Sequence, residues 1–457
     1  MPINFRLVAE EIRYIPEHAE AAALVVQEEL LGAVEPILAE LSIPDSRRIF
    51  FGKGGYPAGF RVYEDFQSLC ADREPEVAVG IEDPWTLRYT SGTTGRPKGV
   101  LESHRTAVLF SPVTEIELAL DRRDTALLVM PMCHANSLNF FTSFAYCGGA
   151  TFVYSRKNFD PQHCLRTLAE GGITFTSLVP TQYVMLLDVP ASARAKLALG
   201  GVKKLMISSA PARAETKLAT MELFANAGLF ELYGSSEAGW VTMLHPEEQL
   251  TKLGTVGREC VGTAPIKLLD DARLEVADGQ VGELFSRTPY SFDRYWRNPE
   301  KTAEAFHGAW CSVGDMGRRD PDGYIVLVDR KSNMIISGGE NVYPAEVEAA
   351  LARHPAVRDV AVVGLPDPLW GERVHAVRVL EPGPAIDERE FLEWARLQLA
   401  GYERPRSVSF LPDSEMLRTA TCKIQHRILR DQLVRAGSCP TVHLEEPGRW
   451  RARLVTS

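Results

Sequence analysis

Twelve consecutive residues, 89–100, carry a dense set of anion-binding groups. Their sequence, YTSGTTGRPKGV, contains four aliphatic hydroxyls, three glycines and one lysine. Glycines let backbone N–H groups approach an anion closely, hydroxyls donate hydrogen bonds, and a lysine supplies positive charge. The spacing is not that of nucleoside triphosphatases, in which Gly is followed after four residues by Gly-Lys-Ser/Thr. We therefore predict a polyphosphate-binding loop directly after a strand, Thr86–Tyr89, rather than a flexible turn.

The overall composition predicts a globular protein of about two to three domains. The chain has 457 residues, of which 45% are hydrophobic and 24% charged, and its formal net charge of −10 disfavours nucleic acid as a partner. No apolar stretch is long enough to span a bilayer, and the N-terminus lacks a basic segment followed by an apolar one. The eight scattered cysteines favour reduced thiols in a cytoplasmic protein over disulfides or a zinc site.

Short apolar runs alternate with helical stretches between Trp85 and about Val328. This alternation is typical of an α/β fold with parallel sheets. Apolar residues on a broad face also predict a helix near the N-terminus, over Ala19–Val34. The other predicted elements of this region are the strands Leu127–Met130, Ile173–Phe175 and Leu205–Ile207 and the helices Cys164–Ala169 and Ala214–Ala225.

A second, smaller domain is predicted after the strand Ile325–Val328 and the polar run Asp329–Asn333. Its compact α+β pattern consists of the helices Pro344–Leu351 and Glu390–Leu399 and the strands Val360–Val363 and Val374–Leu380. We predict a large domain over 1–328, a hinge over 329–333, a small domain over 334–436 and a loosely docked tail over 437–457.

Five segments together resemble the adenylate-forming, or AMP-binding, superfamily, which comprises acyl-CoA synthetases, peptide-synthetase adenylation domains and luciferases. They are residues 89–100, ELYGSSE at 231–237, WCSVGD at 310–315, DR at 329–330 and LRTATCKI at 417–424, in the order that the family has. The resemblance implies a large N-terminal domain of α/β sheets and a small, mobile α+β C-terminal domain. Relatives carry a substantial segment before the counterpart of Pro2, so we expect an N-terminally short member.

The resemblance also implies how ATP is bound. Tyr233 would stack on adenine, Asp315 and Arg330 would contact the ribose, and Ser236 would contact the α-phosphate. Glu237 would hold Mg²⁺, which prefers carboxylate and phosphate oxygens, together with Thr94. Taken alone, Glu237 would be a surface charge and Asp329-Arg330 a surface ion pair. The complete set of implied ATP or AMP contacts is Thr90, Ser91, Gly92, Thr93, Thr94, Gly95, Lys98, Ser209, Ala210, Pro211, Tyr233, Gly234, Ser236, Asp315 and Arg330.

Lys423 corresponds to the family's catalytic lysine. It would reach both the substrate carboxylate and the α-phosphate and stabilise the charge that builds up during attack on phosphorus. Leu417 stands where relatives have Pro, and Cys422 stands where they have Gly. If the position of Cys422 needs a positive φ, a cysteine is strained there and Lys423 would be misplaced. The alternative is that Lys423 is an ordinary surface lysine.

Residues 334–344, MIISGGENVYP, resemble the acyl-CoA ligase branch of the superfamily. In that branch the turn formed here by Gly338, Gly339 and Glu340 would enter the site when the small domain rotates about Ser332, and it would line the channel for coenzyme A. Trp370 would lie near bound CoA, and the alternative is an ordinary core or surface tryptophan.

We therefore predict an AMP-forming acid–thiol ligase that uses ATP, Mg²⁺ and CoA. The predicted catalytic residues are Lys423, Glu237 and His134. By resemblance His134 would gate or position the substrate carboxylate, and the alternative is a buried structural histidine. The apolar and aromatic stretches 140–150 and 181–187 favour an aryl or medium-chain acid. Two other functions stay open: an adenylating enzyme that loads a carrier protein or stops at acyl-AMP, and a non-catalytic relative that acts as a binding subunit. The sequence leaves oligomerisation open.

Overall fold

The computed structural model describes residues 1–55, 57–90, 97–156, 158–380, 387–418 and 424–435, and the backbone of 442–446 and 449–452. These residues fall into two compact units. The first comprises Met1–Ser155, Ser236–Gly239 and Thr288–Ala309, and the second comprises Arg156–Ser235, Trp240–Arg287 and Trp310–Ser457.

The α-helices of the described residues are α1 (Ala9–His18), α2 (Leu31–Val34), α3 (Tyr63–Ser68), α4 (His104–Leu118), α5 (Ala135–Cys147), α6 (Pro161–Glu170), α7 (Pro180–Leu187), α8 (Ala191–Arg194), α9 (Ala214–Leu223), α10 (Pro299–Ala305), α11 (Pro344–Leu351), α12 (Glu388–Gln398) and α13 (His426–Arg435).

The strands of the described residues are β1 (Leu24–Gln27), β2 (Arg48–Phe51), β3 (Arg61–Val62), β4 (Pro84–Thr90), β5 (Lys98–Ser103), β6 (Thr125–Leu128), β7 (Ala150–Val153), β8 (Phe175–Leu178), β9 (Lys204–Ser208), β10 (Gly228–Ser235), β11 (Gly239–Leu244), β12 (Arg258–Glu259), β13 (Lys267–Leu269), β14 (Gly282–Phe285), β15 (Arg294–Tyr295), β16 (Phe306–His307), β17 (Trp310–Cys311), β18 (Asp315–Arg319), β19 (Ile325–Arg330), β20 (Ile335–Ser337), β21 (Glu340–Val342), β22 (Val357–Asp367), β23 (Gly371–Leu380), β24 (Ser407–Phe410), β25 (Val442–Glu446) and β26 (Arg449–Ala452).

The N-terminal part of the first unit corrects the predicted helix over Ala19–Val34. Residues Leu24–Gln27 form the strand β1, which pairs in parallel with β2, and only Leu31–Val34 is α-helical. Burial alternates along β1, with Leu24 and Val26 inside the core and Val25 outside, which is the period of a strand. A short apolar run with β-branched residues suits either element, and the tertiary partner β2 decides the outcome.

The strands β4 and β5 of the first unit frame the predicted phosphate loop. They form an antiparallel pair whose last register pair is Thr90 opposite Lys98, and β15 pairs with β5 so that Tyr295 lies opposite Val100. The fold therefore holds both ends of segment 91–96 on one rigid ladder. Residues 91–96 themselves lie outside the described residues.

The second unit contains a parallel sheet in which β8, β9 and β10 lie side by side. Ser208 at the end of β9 lies opposite Leu232 of β10, so the loop after β9 is next to Tyr233. The carboxyl ends of neighbouring parallel strands are the usual place for ligand binding in such sheets. An antiparallel sheet in the same unit runs in the order β13-β14-β18-β19, and its register sets Asp315 opposite Arg330.

The predicted α+β pattern after the polar run is present in the second unit. Strands β20 to β24 form one sheet, and the helices α11 and α12 bury apolar residues against it, including Val347, Leu351 and Phe391. The strand β19 continues through Arg330, two residues beyond the predicted end. Among the other predicted elements, the strand at 173–175 instead covers Phe175–Leu178, and the tail forms a hairpin of β25 and β26. In the part of the chain described, no helix is long and apolar enough to cross a membrane.

Candidate active site

Asp315 is the buried centre of a polar cluster in the second unit. Its Oδ2 accepts a 2.7 Å hydrogen bond from the Tyr233 hydroxyl, and its Oδ1 accepts a 3.0 Å bond from Nε of Arg330. Burial and, secondly, the Asp315 carboxylate raise the pKa of Tyr233 well above its ordinary value, so this phenol stays a neutral donor. The structure thus brings together the three residues for which ribose and adenine contacts were predicted.

The loop after β9 contains a backbone conformation that L-residues rarely adopt. Ser209 has φ 72°, in the left-handed region, and its hydroxyl is 3.4 Å from that of Ser208. Such strain in a residue other than glycine concentrates at functional sites. Ala210 and Pro211 follow directly, so the predicted adenine-side loop starts at a fixed, strained turn beside β10.

Gly234, a predicted contact of ATP or AMP, lies near the end of the strand β10 and is exposed. Ser236 is half-buried, and it begins the segment Ser236–Gly239 of the first unit.

In the first unit, Tyr295 joins Lys98 to Glu237. The Tyr295 hydroxyl donates a 2.7 Å hydrogen bond to Oε1 of Glu237 and accepts a 3.1 Å bond from Nζ of Lys98. The Lys98 ammonium also lies 4.2 Å from the centroid of the Tyr295 ring, which is a cation–π contact. The sequence motifs predicted Lys98 and Glu237 but not Tyr295. No local motif marks Tyr295, because it lies 197 residues after Lys98 in the sequence.

Glu237 has the chemistry of a site for Mg²⁺ that arrives with a nucleotide. Its carboxylate is buried, with 8% of the residue exposed, and Mg²⁺ is held in such sites by one or two carboxylates plus substrate phosphates. Among the described residues no group of three or more His, Cys, Asp or Glu side chains forms a metal site made by protein alone. The fit to a shared Mg²⁺·ATP complex rests on the chemistry of the buried Glu237 carboxylate. The second predicted ligand, Thr94, lies outside the described residues.

The base of the predicted phosphate loop is supported by the N-terminal helix α1. His18 Nδ1 lies 2.6 Å from the hydroxyl of Tyr89, and the backbone carbonyl of His18 accepts a 3.0 Å bond from the Trp296 indole. Burial lowers the pKa of His18 and raises that of Tyr89, so both groups stay neutral near pH 7. Thr90 and Lys98 are in register at this base, whereas Ser91, Gly92, Thr93, Thr94 and Gly95 lie outside the described residues.

His134 has a structural role at the start of α5. It is the N-cap residue of that helix, and its Nδ1 accepts a 3.3 Å hydrogen bond from the backbone N–H of Asn136. Such a bond satisfies one of the N–H groups that a helix start leaves without an intrahelical partner. The predicted role beside the substrate carboxylate stays a prediction.

The Gly-Gly-Glu segment forms a tight hairpin turn against Trp370. Gly338 and Gly339 have φ 63° and 86°, between Ser337 and Glu340, which pair across β20 and β21. The Gly338 N–H donates a 2.8 Å hydrogen bond to the carbonyl of Trp370. A Cβ on Gly338 would lie 2.8 Å from the Trp370 ring.

Trp370 also contacts a cation that sequence reasoning missed. The Arg406 guanidinium lies 3.7 Å from the centroid of the Trp370 ring, and Arg406 is exposed. The arrangement is a small aromatic and cationic surface beside a backbone that has no side chain at Gly338. The run of charged residues before β24 was the available signal for Arg406.

The predicted hinge is anchored at Asp329, next to the exposed Ser332. Oδ2 of Asp329 accepts a 2.7 Å bond from the N–H of Ala345 at the start of α11, and Oδ1 accepts a 3.0 Å bond from the Asn333 amide. Burial raises the pKa of Asp329. Lys331 donates to Asp271 over 2.8 Å.

The predicted catalytic loop is described only at its ends. Arg418 and Ile424 form an antiparallel bridge, and Arg418 donates a 2.6 Å bond to Asp359. The bridge sets the two described ends of the predicted loop opposite each other. Lys423 and Cys422 lie outside the described residues.

Comparison with known proteins shows to which family the chain belongs. Residues 1–296 match the family of AMP-binding enzymes, and residues 346–423 match the AMP-binding enzyme C-terminal domain. The chain belongs to this family. A feruloyl-CoA synthase of an Amycolatopsis species is 34% identical over 425 residues, which cover 90% of this chain and 79% of that protein.

Two further similar proteins are also CoA ligases. The indoleacetate–CoA ligase of Aromatoleum aromaticum is 32% identical, with 95% of this chain and 83% of that protein covered. The crystal structure of the anthranilate CoA ligase AuaEII in complex with anthranoyl-AMP matches with a TM-score of 0.87 at 26% identity, over 95% of this chain and 83% of that chain. The predicted adenylate-forming fold and the predicted AMP-forming acid–thiol ligase, which uses ATP, Mg²⁺ and CoA, are confirmed.

Proposed function

We propose that the enzyme activates an aromatic carboxylic acid as its acyl-AMP and transfers the acyl group to CoA. The observation that carries the proposal is the Asp315 cluster. Each carboxylate oxygen can accept two hydrogen bonds. Oδ1 and Oδ2 of Asp315 therefore keep acceptor capacity for two ribose hydroxyls beyond the bonds from Arg330 and Tyr233.

In the first half-reaction the substrate carboxylate oxygen attacks the α-phosphorus of ATP, and the bond to the pyrophosphate oxygen breaks. Thr90, Ser91, Thr93, Thr94 and Lys98 hold the phosphates, and Glu237 holds the metal, which when bound neutralises phosphate charge. Asp315 and Arg330 fix the ribose, so that the α-phosphate is presented in a single orientation. Lys423 stabilises the charge that develops at the reacting phosphate.

In the second half-reaction the CoA thiolate attacks the acyl carbon and AMP leaves. We propose that the small domain, residues 334–436, rotates about Ser332 for this step. Lys423 leaves the site, and the turn at Gly338, Gly339 and Glu340 enters it beside the pantetheine arm. Trp370 and the neighbouring Arg406 provide apolar contact and positive charge for CoA.

Replacing Gly338 with alanine is expected to slow the CoA step selectively, by about tenfold. Alanine at this position must keep the left-handed backbone conformation of Gly338, which costs an L-residue roughly 1–2 kcal/mol. Its Cβ would also lie 2.8 Å from the Trp370 ring. Rapid-quench measurements separate acyl-AMP formation from thioester formation. Gly279→Ala is the control, since Gly279 has φ 82° with no atom within 4 Å of its added Cβ. An unchanged thioester step, or equal slowing in both variants, would contradict the assignment.

The proposal of an aromatic acid has two supports. The relatives named above act on ferulate, indoleacetate and anthranilate. In this chain α5 carries Phe140 and Phe144 in the core and Phe141 at 44% exposure, so the predicted acyl-side stretch is rich in aromatic rings. A medium-chain aliphatic acid is the second class to test.

The test of the proposed function is the identity of the acyl acceptor. Purified enzyme is incubated with Mg²⁺·ATP and a panel of benzoic, cinnamic, arylacetic and medium-chain acids, with CoA, with a phosphopantetheinylated carrier protein, or with neither. We expect AMP release and an acyl-CoA mass only with CoA and an aromatic acid. Transfer to the carrier alone, or acyl-AMP accumulation unaffected by CoA, would favour the loading or adenylate-forming alternative.

We propose the cytoplasm as the place of action. The support is chemical: ATP and CoA are the co-substrates, and the cysteines at 70, 133, 147, 164, 260 and 311 are free thiols, as in a reducing compartment.

A further inference from the structure

Tyr295 occupies a position between two oppositely charged groups of the first unit. Its hydroxyl is 3.1 Å from Nζ of Lys98 and 2.7 Å from Oε1 of Glu237. The proposed function assigns Lys98 to the phosphates and Glu237 to Mg²⁺, and the inference below rests on that assignment. One phenol therefore contacts both charged groups that handle the polyphosphate.

The direction of both hydrogen bonds is set by the chemistry of the three groups. An ammonium has only donors, an ionised carboxylate has only acceptors, and a phenol has one of each kind. Lys98 therefore donates to Tyr295, and Tyr295 donates to Glu237. A donor on its oxygen polarises the phenol O–H, so each bond of the chain strengthens the other.

The phenol is held rigidly in this position. Only 4% of Tyr295 is exposed, and its ring packs against Phe292 at 4.9 Å between centroids. Its backbone N–H donates a 3.0 Å bond to the Thr302 hydroxyl, and its strand pairs with Val100, two residues after Lys98. The Tyr295 ring therefore keeps its position when Lys98 or Glu237 moves, and its hydroxyl sets where the ammonium and the carboxylate lie.

We infer that Tyr295 is a positioning residue for the polyphosphate and its metal. Its hydroxyl holds the Lys98 ammonium and the Glu237 carboxylate as separate groups. Without it, opposite charges in a buried site attract directly. An ion pair between them would withdraw Glu237 from the metal and Lys98 from the phosphates at the same time.

The variant Tyr295→Phe removes the hydroxyl and keeps the ring beneath Lys98. We expect its Kd for Mg²⁺·ATP, measured by titration calorimetry, to rise about tenfold, since a hydrogen bond to a charged group contributes about that factor. Its Kd for AMP measured without metal should stay within about twofold of the wild-type value. AMP without metal lacks the β- and γ-phosphates and the Mg²⁺ ion, so its binding does not need the contacts assigned to Lys98 and Glu237. A general structural defect would instead weaken the binding of both AMP and Mg²⁺·ATP.

Tyr324→Phe is the matched control. The Tyr324 hydroxyl donates a 2.5 Å bond to Glu248, and Lys252 lies 4.5 Å over its ring, so the same three groups occur at a position without a proposed ligand. This variant should bind both nucleotides like the wild type. An unchanged Mg²⁺·ATP affinity in Tyr295→Phe, or equal weakening for AMP, would overturn the inference.

A second measurement does not depend on the stability of the phenylalanine variant. 3-Fluorotyrosine placed at position 295 should shift its ¹⁹F resonance on addition of Mg²⁺·ATP and much less with metal-free AMP; equal responses would count against the inference. If the wild-type protein itself binds no Mg²⁺·ATP, the proposed function fails together with the inference. If it binds and only the Tyr295 comparison is negative, the inference alone fails.

Discussion

Asp315→Asn is expected to lower the affinity for AMP and ATP by about two to three orders of magnitude. The asparagine has the same shape but removes the negative charge that Arg330 and Tyr233 face, and its NH₂ group presents a donor to them. Loss of the charged acceptor weakens the hydrogen bonds of two ribose hydroxyls and of Arg330, each worth roughly 1.5–3 kcal/mol. Calorimetric titration with AMP measures the effect without metal, acid or CoA.

Asp320→Asn is the control for the Asp315 variant. Asp320 is at the other end of the same β18–β19 pair and accepts a 2.8 Å bond from Lys252, so it tests the cost of removing a carboxylate from this sheet. We expect its AMP affinity to match the wild type. Wild-type AMP binding by Asp315→Asn would show that Asp315 does not hold the ribose.

Glu237→Gln is expected to reduce the rate of acyl-AMP formation by about a hundredfold or more at any Mg²⁺ concentration. The amide keeps an oxygen that accepts from Tyr295, but it no longer supplies the anionic ligand that Mg²⁺ prefers. Removal of one electrostatic stabiliser of a reacting centre commonly costs this factor. AMP binding should be retained, because AMP needs no metal. The measurement is pyrophosphate release as a function of Mg²⁺ concentration.

Glu248→Gln is the control for the Glu237 variant, since Glu248 also accepts from a tyrosine hydroxyl, that of Tyr324. It should release pyrophosphate like the wild type. Equal losses in the two variants, or full activity in Glu237→Gln, would remove Glu237 from the metal site.

The predicted site residues that the structure brings into contact lie in short, ordered motifs. Asp315 and Arg330 were identified separately, and the register of β18 and β19 brings them together. Gly338 and Trp370 were both assigned to the CoA side, and the structure shows them in contact. Motif residues are predictable because their chemistry limits which residue types can stand at each position.

Residues whose role depends on long-range pairing were not predictable in this way. Tyr295 meets Lys98 from almost two hundred positions away, and Arg406 reaches Trp370 through the pairing of β23 and β24. The strand at Leu24–Gln27 was mistaken for helix for the same reason, since its partner β2 lies outside the local pattern. The functional roles of all the predicted site residues, including residues 91–95 and Lys423, stay predictions.

Formation of acyl-AMP by this enzyme is measured by the exchange of labelled pyrophosphate into ATP, driven by an aromatic carboxylic acid. The exchange reports formation and reversal of the acyl-AMP bond and needs no CoA, so it isolates the nucleotide site from the acceptor site. We predict Mg²⁺-dependent exchange with at least one benzoic, cinnamic or arylacetic acid, and none without an acid or in Asp315→Asn. If the folded wild-type protein shows no exchange with any acid of the panel, it does not form the acyl-AMP proposed for it.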